Sequence, residues 1–428
     1  MELLIRKSQL SGSVLIPASK SHTIRAVLIA TLAEGTSTIR NPLVSLDTDA
    51  VVLAARAFGA EVEQKPGAWT VTGTGGKIST PDNVVDVLDS GTTLYLAMGV
   101  AALGTGYTVF TGDESIRSRP AQVLIDALRD LGAEVFSANG NGKCPIVVRG
   151  PMRGGRTSVR AVTSQYVSSL LLSCPLAQGD SEIEVTGLNE QPYVQMTLDW
   201  LDSQSIRYEA SRELDRFMVP GGQDYRAYER SVPGDFSSAT FFLVASAVTG
   251  SQLVLKGLDM NDSQGDKTVI DMLRRMGANV DASPAGIRVK GAGLRGVELD
   301  LNATPDALPA LAVAGCLAEG ETRLVNVPQA RVKETDRIAV MCAELKKMGA
   351  DISELPDGLV VRRSRLRGAA VQGHSDHRVV MALAVAGLCA EGQTRIDTAE
   401  SAAVTFPNFV ELMRSVGADM VEGGHDAR

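Results

Sequence analysis

The segment "RVKETDR", residues 331–337, carries five charged side chains in seven positions and leads into the apolar sequence "IAVMCAELKKMGADI". Charges of both signs at the start of a helix can simply be solvated and pair locally. They can also bind an anion and move a proton, because Lys and Arg bind phosphates and carboxylates while Glu and Asp exchange protons. The segment alone does not distinguish these two interpretations.

Six loops, each of which opens an apolar segment of helical length, contain residues of related types. They read "SKSHTIR" (19–25), "DSGTT" (89–93), "TSQY" (163–166), "GDFSS" (234–238), "TPDAL" (304–308) and "SDHR" (375–378). Ser, Thr, Asp and Gly are good helix N-caps, and capping alone is the prediction for Asp235. Capping does not explain Lys20, Arg25, Gln165 or Arg378. The three cations among them would oppose the helix dipole at an N-terminus. Cations in this position favour a bound anion.

Two patterns repeat along the chain and show which elements position these loops. Close copies, "LAEGTSTIRN" (32–41), "LAEGETRLVN" (317–326) and "CAEGQTRIDT" (389–398), follow apolar helical segments and end in alternating residues typical of a strand. A second pattern, as in "DLGAEV" (130–135) and "KMGADI" (347–352), places Gly where a helix C-cap belongs. Together the patterns predict six units of alternating strands and helices that account for nearly the whole chain.

The N-terminal sequence indicates how the six units are distributed over domains. "LLIRKSQLSGSV" (3–14) resembles "LVVRRSRLRGAAV" (359–371), the close of the fifth unit, so we expect the N-terminal strand to complete the sixth. Three units per domain then predict a discontinuous domain, residues 1–18 plus 233–428, and an inserted domain, residues 19–232. Two crossings between domains predict a hinge, and helix N-termini facing the interdomain cleft would suit a heavily anionic small molecule.

Composition limits the class of protein. Of the 428 residues, 44% are apolar and 21% charged, which is typical of a soluble globular protein, and no window is apolar enough to span a bilayer. The N-terminus lacks a signal-peptide core, which predicts a cytoplasmic protein without membrane partners. The net charge of −8 argues against nucleic acid as a partner. Five scattered cysteines without CxxC and four histidines without HExxH predict buried free thiols and no metal site.

The motifs "PASKSHTIR", "SGTT", "DESIRSRP", "TSQY", "PDAL", "RVKETDR" and "SDHR", in this order on a sixfold repeat, resemble those of the 5-enolpyruvylshikimate-3-phosphate synthase family. The resemblance covers essentially the whole chain, and "RVKETDR" with "SDHR" is its most specific part. It implies an α/β fold, a two-domain inverse α/β barrel with three βαβαββ-type repeats in each domain.

The resemblance also implies an activity. The family transfers the enolpyruvyl group of phosphoenolpyruvate to the 5-hydroxyl of shikimate 3-phosphate and releases phosphate, on the route to chorismate and the aromatic amino acids. No metal or organic cofactor is expected, and the two small-molecule substrates are the implied partners of a monomer. Each substrate carries a phosphate and a carboxylate, which the planar fork of arginine can bind bidentately.

Residue roles follow from the resemblance, position by position. The implied catalytic residues are Asp306 as proton acceptor, Glu334 as acid–base group, and Lys20. The implied phosphoenolpyruvate-binding residues are Lys20, Gly91, Arg119, Gln165, Arg337 and Arg378. The implied shikimate-3-phosphate-binding residues are Lys20, Ser21, Arg25, Thr163, Ser164, Gln165, Tyr193, Asp306, Gln329 and Lys333. Because Lys333 and Arg337 are four positions apart, we expect them to share a helical face with Glu334 beside them.

The sequence departs from the family pattern at several of its motifs. The family has a lysine two residues before the Phe-Pro of its last motif, and Val404 stands there. The other departures are Tyr95 for an arginine, Asp89 for an asparagine, Glu190 and Gln191 for Ser-Lys, and Gln329 for an asparagine. Together these substitutions remove positive charge from the expected substrate cleft.

The departures leave two alternative functions open. One is a paralogous enolpyruvyl transferase that acts on a different phosphorylated or carboxylated acceptor. The other is a catalytically silent relative that only binds its ligands. Asp306, Glu334 and the three arginines Arg119, Arg337 and Arg378 are all present, which argues against a silent protein.

Overall fold

The structure is a computed structural model that describes residues 1–423, and its chain divides into two compact units. Unit 1 comprises Met1–Pro17 together with the chain from Gly234 onward, and unit 2 comprises Ala18–Pro233. Each unit contains three four-stranded sheets with their helices. The N-terminal segment of the chain therefore belongs to the same unit as its C-terminal half.

The chain begins with two strands of unit 1, β1 (Glu2–Arg6) and β2 (Ser11–Leu15). The first repeat of unit 2 contains α1 (Lys20–Leu32), β3 (Thr36–Arg40), α2 (Leu46–Ala57), β4 (Glu61–Lys65) and β5 (Ala68–Thr72). The second contains β6 (Val85–Asp86), α3 (Gly91–Ala101), β7 (Thr108–Thr111), α4 (Glu114–Ser118), α5 (Gln122–Asp130), β8 (Glu134–Ser137) and β9 (Ile146–Arg149). The third contains β10 (Gly155–Arg160), α6 (Ser164–Ser173), β11 (Ser181–Thr186), α7 (Gln191–Ser203), β12 (Glu209–Ala210) and β13 (Arg216–Val219), and β14 (Glu229–Ser231) ends the unit.

Unit 1 continues with three repeats. The first contains α8 (Phe236–Val248), β15 (Gln252–Lys256), α9 (Val269–Arg275), β16 (Asn279–Ser283) and β17 (Gly286–Lys290). The second contains β18 (Glu298–Asp300), α10 (Leu308–Leu317), β19 (Glu321–Val325), α11 (Arg337–Lys347), β20 (Asp351–Leu355) and β21 (Gly358–Arg362). The third contains β22 (Ala370–Val371), α12 (His377–Gly387), β23 (Gln393–Ile396), α13 (Phe409–Ser415) and β24 (Asp419–Gly423). Short 3-10 helices are Cys174–Leu176, Gly265–Thr268, Pro305–Ala307, Pro328–Val332 and Ala399–Val404.

All six sheets have the same strand order, as in β18-β19-β21-β20. In four repeats the first two strands are parallel, and the helix between them makes the crossover that parallel neighbours require. In the other two repeats the parallel partner of the second strand, β14 or β2, comes from a distant part of the chain. The second strand then pairs antiparallel with the fourth, and the third pairs antiparallel with the fourth, as a hairpin wherever the two are consecutive in the chain. This βαβαββ unit, present six times, confirms the predicted α/β fold class.

Three of the sheets take one strand from a distant part of the chain. β1 pairs antiparallel with β23 and with β24, and so supplies the fourth strand of the last repeat of unit 1. β2 pairs in parallel with β15, and β14 pairs in parallel with β3. In each unit, therefore, a sheet is completed by a strand that lies near a point where the chain passes from one unit to the other.

The first helix of each repeat forms the core of its unit. These helices, α1, α3 and α6 in unit 2 and α8, α10 and α12 in unit 1, are buried on nearly all sides, as expected of helices that are apolar all round. Small residues let them approach closely. A Cβ atom at Gly99 of α3 would lie 2.6 Å from the Ser169 hydroxyl oxygen of α6. The N-termini of these packed helices are thus fixed positions for the loops that precede them.

All five cysteines lie in the described part of the chain and carry free thiols, four of them buried and Cys389 half-buried. The prediction of buried free thiols is confirmed for those four. No helix among residues 1–423 combines the length and the apolar character needed to cross a membrane.

Candidate active site

Five charged side chains of unit 1 form one network, called here the arginine–carboxylate cluster: Asp306, Glu334, Arg337, Asp376 and Arg378. At its centre Arg337 is only 1% exposed. Its Nε and Nη2 atoms donate to the Asp376 carboxylate at 2.9 and 3.1 Å. Its Nη1 donates to Asp306 Oδ1 at 2.8 Å and its Nη2 donates to Glu334 Oε2 at 2.5 Å. At least four of the five N–H groups of this guanidinium are therefore engaged within the protein.

Three helix starts bring the cluster together. Arg337 is the first residue of α11, and Asp376 is the N-cap of α12, where it accepts from the Arg378 backbone N–H at 2.9 Å. Asp306 lies in the 3-10 turn that leads into α10. Its second carboxylate oxygen is 3.0 Å from Arg378 Nη2. Because α10, α11 and α12 pack on one another, the charged groups at their starts are held in a fixed arrangement.

The predicted helical placement of Lys333 was wrong. The residues Pro328–Val332 form a 3-10 helix, Lys333 has a non-helical backbone with φ of −87° and ψ of −147°, and α11 begins only at Arg337. Asp336 determines this start because its carboxylate accepts from the Ala339 N–H at 3.0 Å as the N-cap. Lys333 and Glu334 consequently lie on the loop before α11, and Glu334 reaches Arg337 from that loop rather than along a helical face.

The cations near Asp306 keep its carboxylate ionised. Burial alone would raise the pKa of Asp306, but Arg378, Lys333 and Arg337 outweigh that effect and hold the pKa well below its usual range. Burial lowers the pKa of His377 to about 4, so its imidazole adds no positive charge near neutral pH. A carboxylate with so low a pKa is a weak base. Substrate anions on the same cations would neutralise them and make Asp306 more basic.

A buried ion pair lies at the start of α1 in unit 2. Lys20 Nζ is 2.8 Å from Asp47 Oδ2, and both side chains are largely buried. Asp89 lies close enough for its charge to act on both. Burial and the neighbouring Asp47 raise the pKa of Asp89 to about 7, although Lys20 opposes the shift. The predicted catalytic lysine is therefore held by a carboxylate and lies near a second one that titrates around neutral pH.

Three of the residues predicted to bind phosphoenolpyruvate lie together at the N-termini of α3 and α6. The Arg119 guanidinium lies directly over Gly91, where a Cβ atom would come within 2.2 Å of Arg119 Nη1. Gln165 Nε2 donates to Thr92 Oγ1 at 2.9 Å, which joins the two helix starts. Arg119 Nη2 also donates to the Ser115 hydroxyl at 3.2 Å. Only glycine at position 91 permits this approach of the arginine.

Tyr95, which stands where the family has an arginine, is a buried residue of α3. Its hydroxyl donates to the Pro120 carbonyl at 2.9 Å, and Tyr166 donates to the same carbonyl at 2.6 Å. The two rings meet edge to face with centroids 5.1 Å apart. Tyr95 therefore fixes the backbone next to Arg119, which is a positioning contact rather than a charge.

Arg25 of α1 is 1% exposed, and every acceptor that the structure gives it is neutral. The acceptors are the Thr197 hydroxyl at 2.9 Å, the Ser168 hydroxyl at 3.2 Å, and the carbonyls of Ser21 and Tyr193 at 3.1 Å each. Burial lowers the pKa of Arg25 to about 10, so the guanidinium stays charged near neutral pH. A buried cation with neutral acceptors suits an anionic ligand.

The remaining predicted residues have different environments. Thr163 and Ser164, at the N-terminus of α6, both donate to the Glu190 carboxylate. Gln329 is buried, and its amide donates to the Asn302 carbonyl at 3.0 Å. Val404, in place of the family lysine, is half-buried at the end of the 3-10 helix Ala399–Val404, which packs on α12.

Sequence analysis missed three carboxylates of these networks: Asp376, Asp47 and Glu190. The position of Asp376 in "SDHR" signalled an N-cap but not a bidentate partner for Arg337. No local signal marked Asp47 as the partner of Lys20. Within residues 1–423, no group of three or more His, Cys, Asp and Glu residues is arranged to hold a metal ion.

A sixfold βαβαββ protein that presents arginines, a lysine and carboxylates at buried helix starts belongs to a class of α/β enzymes that handle anionic substrates. The comparison with known families is more specific. The family model of EPSP synthase (3-phosphoshikimate 1-carboxyvinyltransferase) matches residues 5–413, and the chain belongs to this family.

Individual proteins are similar over nearly their full length. The 3-phosphoshikimate 1-carboxyvinyltransferase of Acetivibrio thermocellus is 55% identical over 98% of this chain and 99% of its own. That of Methanothrix thermoacetophila is 49% identical over 98% and 99% of the two chains. A solved structure of EPSP synthase from Acinetobacter baumannii has a TM-score of 0.81 and 27% identity, and the match covers 98% of this chain and 100% of that one.

Proposed function

We propose that the protein transfers the enolpyruvyl group of phosphoenolpyruvate to the 5-hydroxyl of shikimate 3-phosphate and releases phosphate. The family, the near full-length relatives and the six βαβαββ repeats support this activity. The single observation that carries the chemistry is the placement of Asp306, whose two carboxylate oxygens each contact an arginine. This arrangement provides a proton acceptor beside cations that suit a phosphate or a carboxylate.

In the proposed reaction Asp306 accepts the proton of the acceptor hydroxyl as its oxygen attacks C2 of phosphoenolpyruvate. Glu334 delivers a proton to the methylene carbon, which becomes a methyl group. The resulting ketal phosphate then loses a methyl proton to the same carboxylate and expels phosphate, which restores the double bond. Both proton transfers are general acid–base steps, and each contributes typically 10²–10⁴-fold to the rate.

The binding roles are proposed from the contacts of each residue. Arg378, Arg337, Arg119, Lys20, Gln165 and Gly91 are proposed to bind phosphoenolpyruvate. Because Arg337 is already engaged by three carboxylates, release of its Nη2 by Glu334 would make a further N–H available to the substrate. We expect that release to accompany the acid–base work of Glu334.

For shikimate 3-phosphate, the proposed residues are Lys20, Ser21, Arg25, Thr163, Ser164, Gln165, Tyr193, Asp306, Gln329 and Lys333. Arg25 is the strongest candidate because its buried guanidinium has only neutral acceptors. Gln329 requires a rearrangement, since its amide already donates to Asn302.

We further propose that the protein works as a monomer in the cytoplasm. Five free thiols fit a reducing compartment, in which disulfides rarely persist. Light scattering on the purified protein tests the monomer, and a mass twice that of the chain would contradict it.

The two alternatives, a different acceptor or a silent relative, are not favoured by any observation among residues 1–423. Complementation separates them from the proposal. A strain that lacks its own 3-phosphoshikimate 1-carboxyvinyltransferase should grow without aromatic amino acids when it expresses this chain. Failure to grow, with folded protein present in the cells, would contradict the proposal.

A further inference from the structure

The N-terminus of α6 is occupied by a carboxylate of the protein itself. Glu190 Oε2 accepts from the Ser164 hydroxyl at 2.9 Å, the Thr163 hydroxyl at 3.1 Å and the Ser164 backbone N–H at 3.3 Å. Glu190 is 3% exposed. Two of the residues proposed to hold the acceptor substrate thus already hold an anion.

These three donors form a site for one oxygen of any anion. A backbone N–H at the start of a helix and two hydroxyls point at a single acceptor, and the dipole of the ten-residue helix α6 favours negative charge there. A phosphate oxygen accepts the same hydrogen bonds as a carboxylate oxygen. The two cannot use this donor set at once, and their like charges repel at such short range.

Capping does not account for the position of the Glu190 side chain. Glu190 is the residue before α7, yet its side chain forms no capping bond to that helix and reaches α6 instead. The helix α6 already has an N-cap, Thr163, whose hydroxyl accepts from the Gln165 N–H at 3.4 Å. The Glu190 backbone is left-handed, with φ of 58°, a conformation that residues with a Cβ adopt at a cost.

We propose that the Glu190 carboxylate competes internally with the acceptor phosphate for the donors of Thr163 and Ser164. This inference rests on the proposed function, in which Thr163 and Ser164 bind shikimate 3-phosphate, and it assigns the phosphate of that substrate to their donors. In the free protein the Glu190 carboxylate takes the donors. When shikimate 3-phosphate binds, its phosphate displaces the carboxylate, so part of the binding free energy is spent on the exchange. Removing the charge of Glu190 should therefore strengthen phosphate binding.

Calorimetric titration tests the competition. The Kd of shikimate 3-phosphate and that of inorganic phosphate are measured for the wild type, Glu190→Gln and Glu190→Ser. Gln keeps the shape without the charge, and Ser vacates the donor set. We expect both Kd values to fall by roughly tenfold in each variant, which is the size of one charge-assisted hydrogen bond. Glu213→Gln, which removes an exposed charge of the same unit, should leave both values within about twofold of wild type.

Unchanged or weaker binding in both Glu190 variants would overturn the inference and leave Glu190 as a purely structural contact. A crystal structure of the wild type with shikimate 3-phosphate provides a test that needs no variant to fold. We expect Glu190 Oε2 to lie beyond hydrogen-bond distance of the Ser164 N–H. If the carboxylate keeps that bond with substrate present, the inference is also overturned.

The same experiments separate this inference from the proposed function. If the wild type turns over both substrates but the Glu190 variants bind no tighter, only the role of Glu190 fails. If the wild type turns over nothing with shikimate 3-phosphate, the proposed function fails. In that case the inorganic-phosphate titration still decides whether Glu190 competes for the anion site.

Discussion

Asp306 joins two arginines, with Oδ1 2.8 Å from Arg337 Nη1 and Oδ2 3.0 Å from Arg378 Nη2. The cations keep the carboxylate ionised and, in the free protein, weakly basic. Substrate anions that bind these arginines would neutralise their charge and make Asp306 more basic. Binding of substrate and activation of the base are therefore coupled in this arrangement.

Asp306→Asn tests the proposed base. Asparagine preserves shape and hydrogen bonding but cannot accept the proton, so turnover should fall by roughly two to four orders of magnitude. Anion binding should not weaken, because Arg337 and Arg378 lose a competing carboxylate. Steady-state kinetics with a separate binding titration measure both effects. Asp281→Asn, an exposed change in the same unit, is the control. Near-normal turnover by Asp306→Asn would reassign the base, with Glu334 the next candidate.

Asp89 should make phosphoenolpyruvate binding dependent on pH. Its pKa of about 7 means that the carboxylate is neutral below that value and charged above it. The charged groups that act on the Asp89 carboxylate are Lys20, Asp47 and Asp113. A dianionic ligand at Lys20 should therefore bind more weakly as pH rises through 7.

The measurement is the Kd of phosphoenolpyruvate from pH 6 to 8.5 for wild type and Asp89→Asn. Phosphate itself ionises near pH 6, so the ratio of the two Kd values isolates the contribution of Asp89. We expect the Kd of the wild type divided by that of Asp89→Asn to grow with pH and then level off. A ratio that is constant over this range would show that Asp89 does not titrate beside the ligand.

Val404→Lys restores the cation that the family pattern has at this position. Val404 ends the 3-10 helix that packs on α12, the helix that carries Arg378. A charge-assisted contact contributes about 1.5–3 kcal/mol, so the Kd of phosphoenolpyruvate should fall by about an order of magnitude or more. Val421→Lys, which places a lysine on an exposed strand position, should have no such effect. Tight binding by the wild type that Val404→Lys does not improve would mean that another residue has taken over this role.

Glu344 positions the segment that leads into Asp376 and the start of α12, which carries Arg378. This buried residue of α11 accepts from the Gln372 N–H at 2.9 Å and from Lys347 Nζ at 2.7 Å, and it contacts His374 Nε2 at 2.9 Å. It therefore ties α11 to the segment immediately before α12. Burial would raise the pKa of Glu344, but these hydrogen bonds outweigh that effect and lower it.

Glu344→Gln should lower kcat more than it raises the KM of shikimate 3-phosphate, and should reduce the free energy of unfolding by about 1–3 kcal/mol. Because the folded-state pKa is depressed, the stabilisation is present above the unfolded-state pKa of about 4.3 and is lost as pH falls through the folded value. The stability difference from wild type should therefore shrink in acid. Glu411→Gln, an exposed change in unit 1, is the control. An unchanged kcat with reduced stability would limit Glu344 to a structural role.

The repeat architecture could be predicted because glycines and alternating strands recur with the same spacing in each unit. The similarity between residues 3–14 and 359–371 predicted that the N-terminal strand completes the sixth unit. In the structure β1 pairs with β23 and β24. Asp235 was predicted as a cap from its local sequence and does accept from the Ser238 N–H at 3.0 Å. These features depend on short-range patterns that a sequence displays directly.

The partners of the charged side chains could not be predicted in the same way. Arg337 binds Asp376, 39 positions away, and Arg25 contacts Thr197, 172 positions away. Such pairs follow from packing of whole helices and leave no local signal. The start of α11 was misjudged for a related reason, since Glu334, Thr335 and Asp336 could each precede a helix. Only the bond from Ala339 to Asp336 settles which of them is the cap.

The most direct test of the account is the release of phosphate from phosphoenolpyruvate by the purified wild-type protein, with and without shikimate 3-phosphate. We predict release only when both substrates are present, together with a product whose mass equals that of shikimate 3-phosphate plus one enolpyruvyl group. No release with both substrates, or release with a different acceptor only, would contradict the proposed function.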